Sequence, residues 1–229
     1  MTIAVAVFPG TNCEMDVVWV LRSLGAEAEL AWHRDVDLAG ASAVVLPGGF
    51  AHGDYLRTGA FARFSPIMAE VERLATAGRP VLGICNGFQI LTEAGLLPGA
   101  HLANRDLAFI CRFVEVEVVD TASVLTAGTQ LGQVLRIPLN SYEGNYLDPS
   151  GRARLVLRYL EPNPNGAQDG AAAVANTFGN VVGIMPHPER ATEALLGSDD
   201  GKVLLEAFVR AAVTTPAPAG GARSGGSVV

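Results

Sequence analysis

The sequence predicts an α/β fold, a doubly wound and mostly parallel sheet with additional antiparallel strands in the C-terminal half. Three observations predict it. Short apolar runs alternate with amphipathic stretches from Ile3 to Leu91. Several of those runs stop at small, glycine-bearing turns: Pro9-Gly10, Pro47-Gly48-Gly49 and Cys85-Asn86-Gly87. After Arg112 the apolar residues instead alternate one by one with polar ones, the texture of half-buried strands.

The elements follow in order. Ile3 to Phe8 is a first strand, ended by Pro9-Gly10. Thr11 with Glu14 has the form of a capping box, so a helix is expected from Glu14 to Leu24, closed by Gly25. Glu27 to Trp32 and Ala43 to Leu46 are the next strands. The segment Pro47 to Ala60 is glycine-rich without the Gly-Lys-Ser/Thr of a phosphate loop. A long helix from Phe61 to Ala77 is expected after it, then a strand from Val81 to Ile84 and a helix carrying Phe88, Ile90 and Leu91.

Val114, Val116 and Val118 alternate with Glu115 and Glu117, a strand with one wet face. Gln133 to Leu139 and Arg154 to Leu160 read as further strands, and Ala171 to Asn176 with Val181 to Met185 as a hairpin. A last helix should start near Ser198 and turn Val203, Leu204, Phe208 and Val209 inward. One domain, residues 1–213, is expected, with 214–229 a disordered tail of Pro, Ala, Gly and Ser.

Composition narrows the function. Of 229 residues, 49% are apolar, enough for a sizeable core. The net charge of −7, without a basic cluster, argues against nucleic acid as partner. No apolar run is long enough to span a bilayer, and the N-terminus has the form of a strand rather than a signal peptide. Three widely spaced cysteines make neither a disulfide framework nor a metal pattern, so no metal is expected and a reducing cytoplasm suits the chain.

The chemistry centres on Gly83-Ile84-Cys85-Asn86-Gly87. A lone cysteine is usually a small buried hydrophobe. Here glycines stand two residues to either side of it, at a strand-to-helix turn, which is the cysteine form of a nucleophile elbow. The following helix offers free N–H groups and its positive dipole end. A thiol nucleophile needs a base. His33 lies in the charged stretch HRDVD and is expected to be exposed, His52 has no orienting group nearby, and His101 follows a turn and is expected to be solvated. His187 stands at a strand end between Pro186 and Pro188, with Glu189 placed to orient its ring. Acyl transfer through a Cys85 thioester follows, with His187 as base and Glu189 as orienter. Asn86 and the Gly48-Gly49 turn would supply the oxyanion donors.

Gly-x-Cys-x-Gly-x-Gln at Gly83 to Gln89, with His187-Pro188-Glu189, resembles the class I glutamine amidotransferases, whose core is flavodoxin-like. Phe8 to Cys13, Pro47 to Arg57, Gly83 to Gln89 and Met185 to Arg190 together are similar to the family of free-standing glutaminase subunits of phosphoribosylformylglycinamidine synthases. The resemblance implies hydrolysis of glutamine to glutamate and ammonia, with delivery of the ammonia to a synthetase subunit in purine synthesis and a small third subunit in the complex. It implies no cofactor in this subunit, and ATP and Mg in the synthetase partner.

By the same resemblance Cys85, His187 and Glu189 are catalytic, Gly49 joins Asn86 in the oxyanion hole, and Gly48, Gln89, Asn104 and Phe109 meet the substrate. Cys13 and Cys111 match family positions and are expected to be packing residues. One departure stands at Asn140-Ser141-Tyr142-Glu143-Gly144, where the family usually carries His-Gly before Glu-Gly. The alternatives are a glutaminase for another synthase, and a silent glutamine-sensing module on the same fold. Gating by a flip of the Gly48-Gly49 peptide is also expected, since glycine visits both signs of φ.

Overall fold

The computed structural model describes residues 2–38 and 40–214. Nine strands form one sheet: β1 (Thr2–Val7), β2 (Glu27–Trp32), β3 (Ala41–Leu46), β4 (Val81–Ile84), β6 (Ile110–Val118), β7 (Val134–Ser141), β9 (Arg154–Tyr159), β10 (Ala171–Ala175) and β11 (Val181–Ile184). Two more, β5 (Ala100–Leu102) and β8 (Asn145–Leu147), make a small antiparallel ribbon. The helices are α1 (Glu14–Ser23), α2 (Ile67–Thr76), α3 (Asn86–Glu93) and α4 (Gly201–Thr214).

Strand order is β2-β1-β3-β4-β11-β10-β9-β6-β7. The first five pair in parallel, and the C-terminal strands are joined antiparallel. The expected α/β class, mostly parallel and then antiparallel, is what the chain adopts. Order reverses between β1 and β3, and right-handed crossovers then place α1 and α2 on opposite faces. At such a switch point the loops leaving the two strands meet beyond their carboxyl ends, where here they are bridged at Thr11 and Gly49. Those loops are Phe8 to Cys13 and Pro47 to Phe50.

Central β4 is buried at every residue, as a strand covered on both faces must be. Helix α2 buries Ile67, Met68, Val71 and Leu74, a one-sided stripe at helical spacing. Burial of side chains of this size contributes roughly 1.5–3 kcal/mol each. Among the described residues no helix is long and apolar enough to cross a membrane.

Several expectations are corrected. Thr11 does not cap α1: Cys13 occupies the N-cap position without a side-chain bond. The Thr11 hydroxyl instead accepts the Phe8 N–H at 2.9 Å, fastening the turn after β1. The long helix from Phe61 is interrupted. A single turn, Ala62–Phe64, ends at Ser65, whose ψ of 140° is extended. Pro66 forces this, because its ring excludes helical geometry at the preceding residue. The last helix begins at Gly201 rather than near Ser198, and it includes Thr214, the first residue of the expected tail. The rest of that tail, 215–229, lies outside the described residues.

His33 and His101 are enclosed rather than solvated. His33 is buried and packs edge-on against Trp32 and His52. The His101 ring meets Phe88 edge to face at 4.4 Å and lies 3.2 Å from the Thr92 hydroxyl. Burial lowers its pKa to about 3.

Candidate active site

Strands β4 and β11 pair in register, Val81 with Val181 through Ile84 with Ile184, and both deliver their next residues to the same edge. The Cys85 N–H extends this ladder, donating to the Ile184 carbonyl at 2.7 Å. Cys85 then leaves the strand with φ 51° and ψ −106°. A non-glycine residue in that region costs roughly 1–3 kcal/mol and persists only where its surroundings over-determine it.

Here the glycines do so. A Cβ on Gly83 would stand 2.6 Å from Gly87 backbone atoms, and one on Gly87 would stand 1.9 Å from the Leu46 carbonyl oxygen. The turn closes only with both side chains absent, and it lifts Cys85 onto the N-terminus of α3.

His187 follows β11 and is fixed by its own N–H, which donates to the Pro138 carbonyl at 2.7 Å. Its Nδ1 lies 2.6 Å from Glu189 Oε1, and the two side chains are only 3% and 0% exposed. Nε2 is buried without a hydrogen-bond partner. Burial pulls the imidazole toward its neutral form. The Glu189 charge and then Cys85 outweigh this and raise the His187 pKa well above its ordinary range. The Cys85 thiol donates weakly to the Asn140 carbonyl at 3.4 Å.

Gly48 is packed against this pair rather than open to a ligand. A Cβ there would stand 2.7 Å from His187 Cε1, 3.2 Å from Cys13 Sγ and 3.5 Å from Cys85 Cβ. The Gly48 carbonyl accepts N–H groups from Asn12 and Cys13 at 3.3 and 3.2 Å, and the Gly10 carbonyl accepts that of Phe50 at 2.9 Å. Gly49 therefore faces Thr11 as the unbonded pair of a one-residue bridge, with its own N–H turned away from that ladder. Its φ of 148° and a closest Cβ approach of 2.8 Å require glycine. The two bonds on the Gly48 carbonyl hold the Gly48-Gly49 peptide in one orientation, so a flip would break both.

The cavity in front of Cys85 has a volume of about 440 Å³. Gly49, Gln89, Phe109 and His187 line it, with Asn140 to Glu143 on one wall and Asn12, Cys13, Phe50, Asp54, Thr58 and Arg190 on others. The departure from the family pattern, Ser141-Tyr142, is thus part of the wall. Phe109 is 55% exposed and belongs to the rim, not the core.

Asn104 is not on the wall. It is buried, donates to the Ala108 and Ser141 carbonyls, and accepts the Gly144 N–H at 3.0 Å, so it shapes the loop beside the cavity. Asn86 fastens the opposite loop. Its Oδ1 accepts the Ala51 N–H at 3.0 Å, and its Nδ2 donates to Asp54 and Gln89 at 3.1 and 3.0 Å. Its backbone N–H, at the first position of α3, has no intrahelical acceptor.

Sequence reasoning missed Cys13, Asp54 and Glu143 as wall residues. The first looked like packing, and the other two lie in loops whose folding together no local pattern reveals. Cys13 is buried, and its sulfur accepts a hydrogen bond from Arg190 Nη2 at 3.2 Å. Donor atoms of Cys13, His187 and Glu189 lie within 4.8 Å of one another. The cluster suits a cation poorly, because a guanidinium already sits on the sulfur and Glu189 already holds the imidazole.

The likeness to known proteins agrees with this architecture. Residues 1–199 match the CobB/CobQ-like glutamine amidotransferase domain. The chain is 50% identical over 219 residues to the phosphoribosylformylglycinamidine synthase subunit PurQ of Rubrobacter xylanophilus, covering 93% of this chain and 99% of that one. A chain in the structure of PurLQS from Thermotoga maritima superposes with a TM-score of 0.88 at 40% identity, covering 91% of this chain and 97% of that one. A glutamine amidotransferase from the same organism, at 17% identity and a TM-score of 0.59 over 93% and 96% of the two chains, shares the fold. The chain belongs to the CobB/CobQ-like glutamine amidotransferase family and, within it, to the PurQ-type glutaminase subunits of phosphoribosylformylglycinamidine synthase.

Proposed function

We propose that this chain hydrolyses glutamine to glutamate and ammonia through a thioester on Cys85. One observation carries the reading: a nucleophile held in strained backbone stands one strand away from a buried His187–Glu189 pair whose Nε2 has no other partner. His187 Nε2 takes the thiol proton, and the sulfur attacks the side-chain amide carbon. Negative charge gathers on the amide oxygen, to which the Gly49 and Asn86 N–H groups donate hydrogen bonds. His187 returns the proton to the nitrogen, ammonia leaves, and the acyl group remains on sulfur. Water, deprotonated by the same imidazole, then releases glutamate and restores the thiol. Glu189 keeps the ring oriented throughout.

The relatives' names supply the second half of the reading. The ammonia passes to a synthetase partner that makes formylglycinamidine ribonucleotide in purine biosynthesis, with a small third subunit in the assembly. ATP and Mg belong to that partner's step. Phe50, Phe109 and Tyr142, each about half exposed at the cavity rim, fit a face that a partner covers. The test is glutamate release by the full chain, alone and with the synthetase, its substrate and ATP. Loss of release in Cys85→Ser, with an acyl adduct on Cys85 in the quenched wild type, is expected. Release undiminished in Cys85→Ser would overturn the reading.

A further inference from the structure

We propose that Asp54 and Glu143 form the subsite for the substrate's α-ammonium group and set the preference for an α-amino acid over a plain amide. This rests on the glutaminase reading above. Both carboxylates line the cavity that holds Cys85 and His187, and they arrive from unrelated parts of the chain. Asp54 comes from the glycine-rich loop, where Asn86 Nδ2 donates to its Oδ1 at 3.1 Å. Glu143 comes from the loop after β7. Its carbonyl accepts Gln89 Nε2 at 2.6 Å, and its Oε2 accepts the Thr58 hydroxyl at 2.9 Å.

Among the described residues neither acid is paired with a base. Arg190, the one guanidinium on the wall among the described residues, is bonded to Asp16 and Cys13. Arg57, close in sequence to Asp54, is bonded to Glu93. Two half-buried carboxylates facing one cavity repel each other, and a ligand cation would relieve that repulsion. Burial, and then the charge of Glu143, accordingly raise the Asp54 pKa to about 6. Glutamine brings one cation, an ammonium with three donors, enough to bond to both acids.

Asn86 links the two ends of the site. It follows the nucleophile directly in the chain and grips Asp54 with its side chain. The loop is also built at a cost. His52, Asp54 and Leu56 all have φ between 52° and 69°. Left-handed backbone at three non-glycine positions persists only when something over-determines it. The Ser141 hydroxyl, on the same wall, is also buried without a partner among the described residues.

The test compares L-glutamine with glutaramic acid, the same side-chain amide without the α-ammonium, using the full chain in its complex. Asp54→Asn should raise KM for glutamine at least about tenfold while kcat changes less than about threefold. Its kcat/KM for glutaramic acid should stay within about twofold, so that the preference for glutamine falls about tenfold. Glu143→Gln should act in the same direction, and Asp54→Glu should restore part of the preference. Variants that lose both amides equally, or that keep the wild-type preference, would overturn the proposal. Wild-type complex that releases no glutamate would overturn the glutaminase reading and this subsite with it.

Discussion

Glu189 Oε1 stands 2.6 Å from His187 Nδ1, and almost no solvent reaches either side chain. The pair is held by local chain, since the two residues are separated only by Pro188. His187→Ala should therefore lower glutamine turnover by about a thousandfold or more. Glu189→Gln should cost less, because it keeps the packing and alters only orientation and charge. Steady-state glutamate release measures both. Near-full activity in His187→Ala would remove it from the mechanism.

The three thiols should separate by reagent. Cys111 is exposed and should react first with a general alkylator such as iodoacetamide. A glutamine-like chloroketone should label Cys85. Cys13 lies on the same cavity wall under the Arg190 guanidinium, and Cys13→Ser should keep turnover within about tenfold, since it removes no reacting atom. Peptide mapping that found the chloroketone on Cys13 would reverse these roles.

Gly48→Ala probes positioning. The added methyl would stand 2.7 Å from His187 Cε1, so the ring must shift. A misplacement of about 1 Å can lower kcat about a hundredfold, so a smaller ring shift should lower it by less than that. The sheet is untouched, and the melting temperature should move by no more than a few degrees, roughly what 1 kcal/mol gives in a chain of this size. Unchanged kcat would mean the ring tolerates displacement.

Acid stability should report His101. Its pKa is lowered by burial to about 3, against 6.5 for a free histidine. Between those values the unfolded chain takes up a proton that the folded chain refuses. Stability is then full above about pH 6.5 and falls as pH drops toward 3, by at most ~1.4 kcal/mol per pH unit. Urea midpoints across this window should slope less in His101→Leu than in the wild type, whatever that variant's stability at neutral pH. Equal slopes would mean that the ring titrates normally in the folded protein.

The parts legible in the sequence are those where one chemical demand excludes other residues. Gly83 and Gly87 are read correctly as an elbow because any Cβ there collides with backbone. Buried parallel strands such as β4 are legible as unbroken apolar runs. The capping box at Thr11 failed because the same hydroxyl could serve a turn behind it as well as a helix ahead of it. The helix over Phe61 to Ala77 overlooked Ser65-Pro66, where a single ring decides the geometry. Asn104 and His101 took their surroundings from loops distant in sequence, which no window around them contains. The Gly48-Gly49 peptide looked free by composition, and two N–H groups from another loop restrain it.

The direct pairing of β4 with β11 has a bearing on how such a chain can diversify. Cys85 and His187 are brought to one edge by two strands that recognise each other, although Asn86 to Asn180 intervene. The intervening stretch makes its own strands and returns to the cavity at Gln89, Phe109 and Asn140 to Glu143. The alignment of Cys85 with His187 thus depends on the two paired strands, and much of the cavity wall on other portions of the chain. Ser141-Tyr142, where the family usually carries His-Gly, lies in that returning wall, apart from the two strands that align Cys85 with His187.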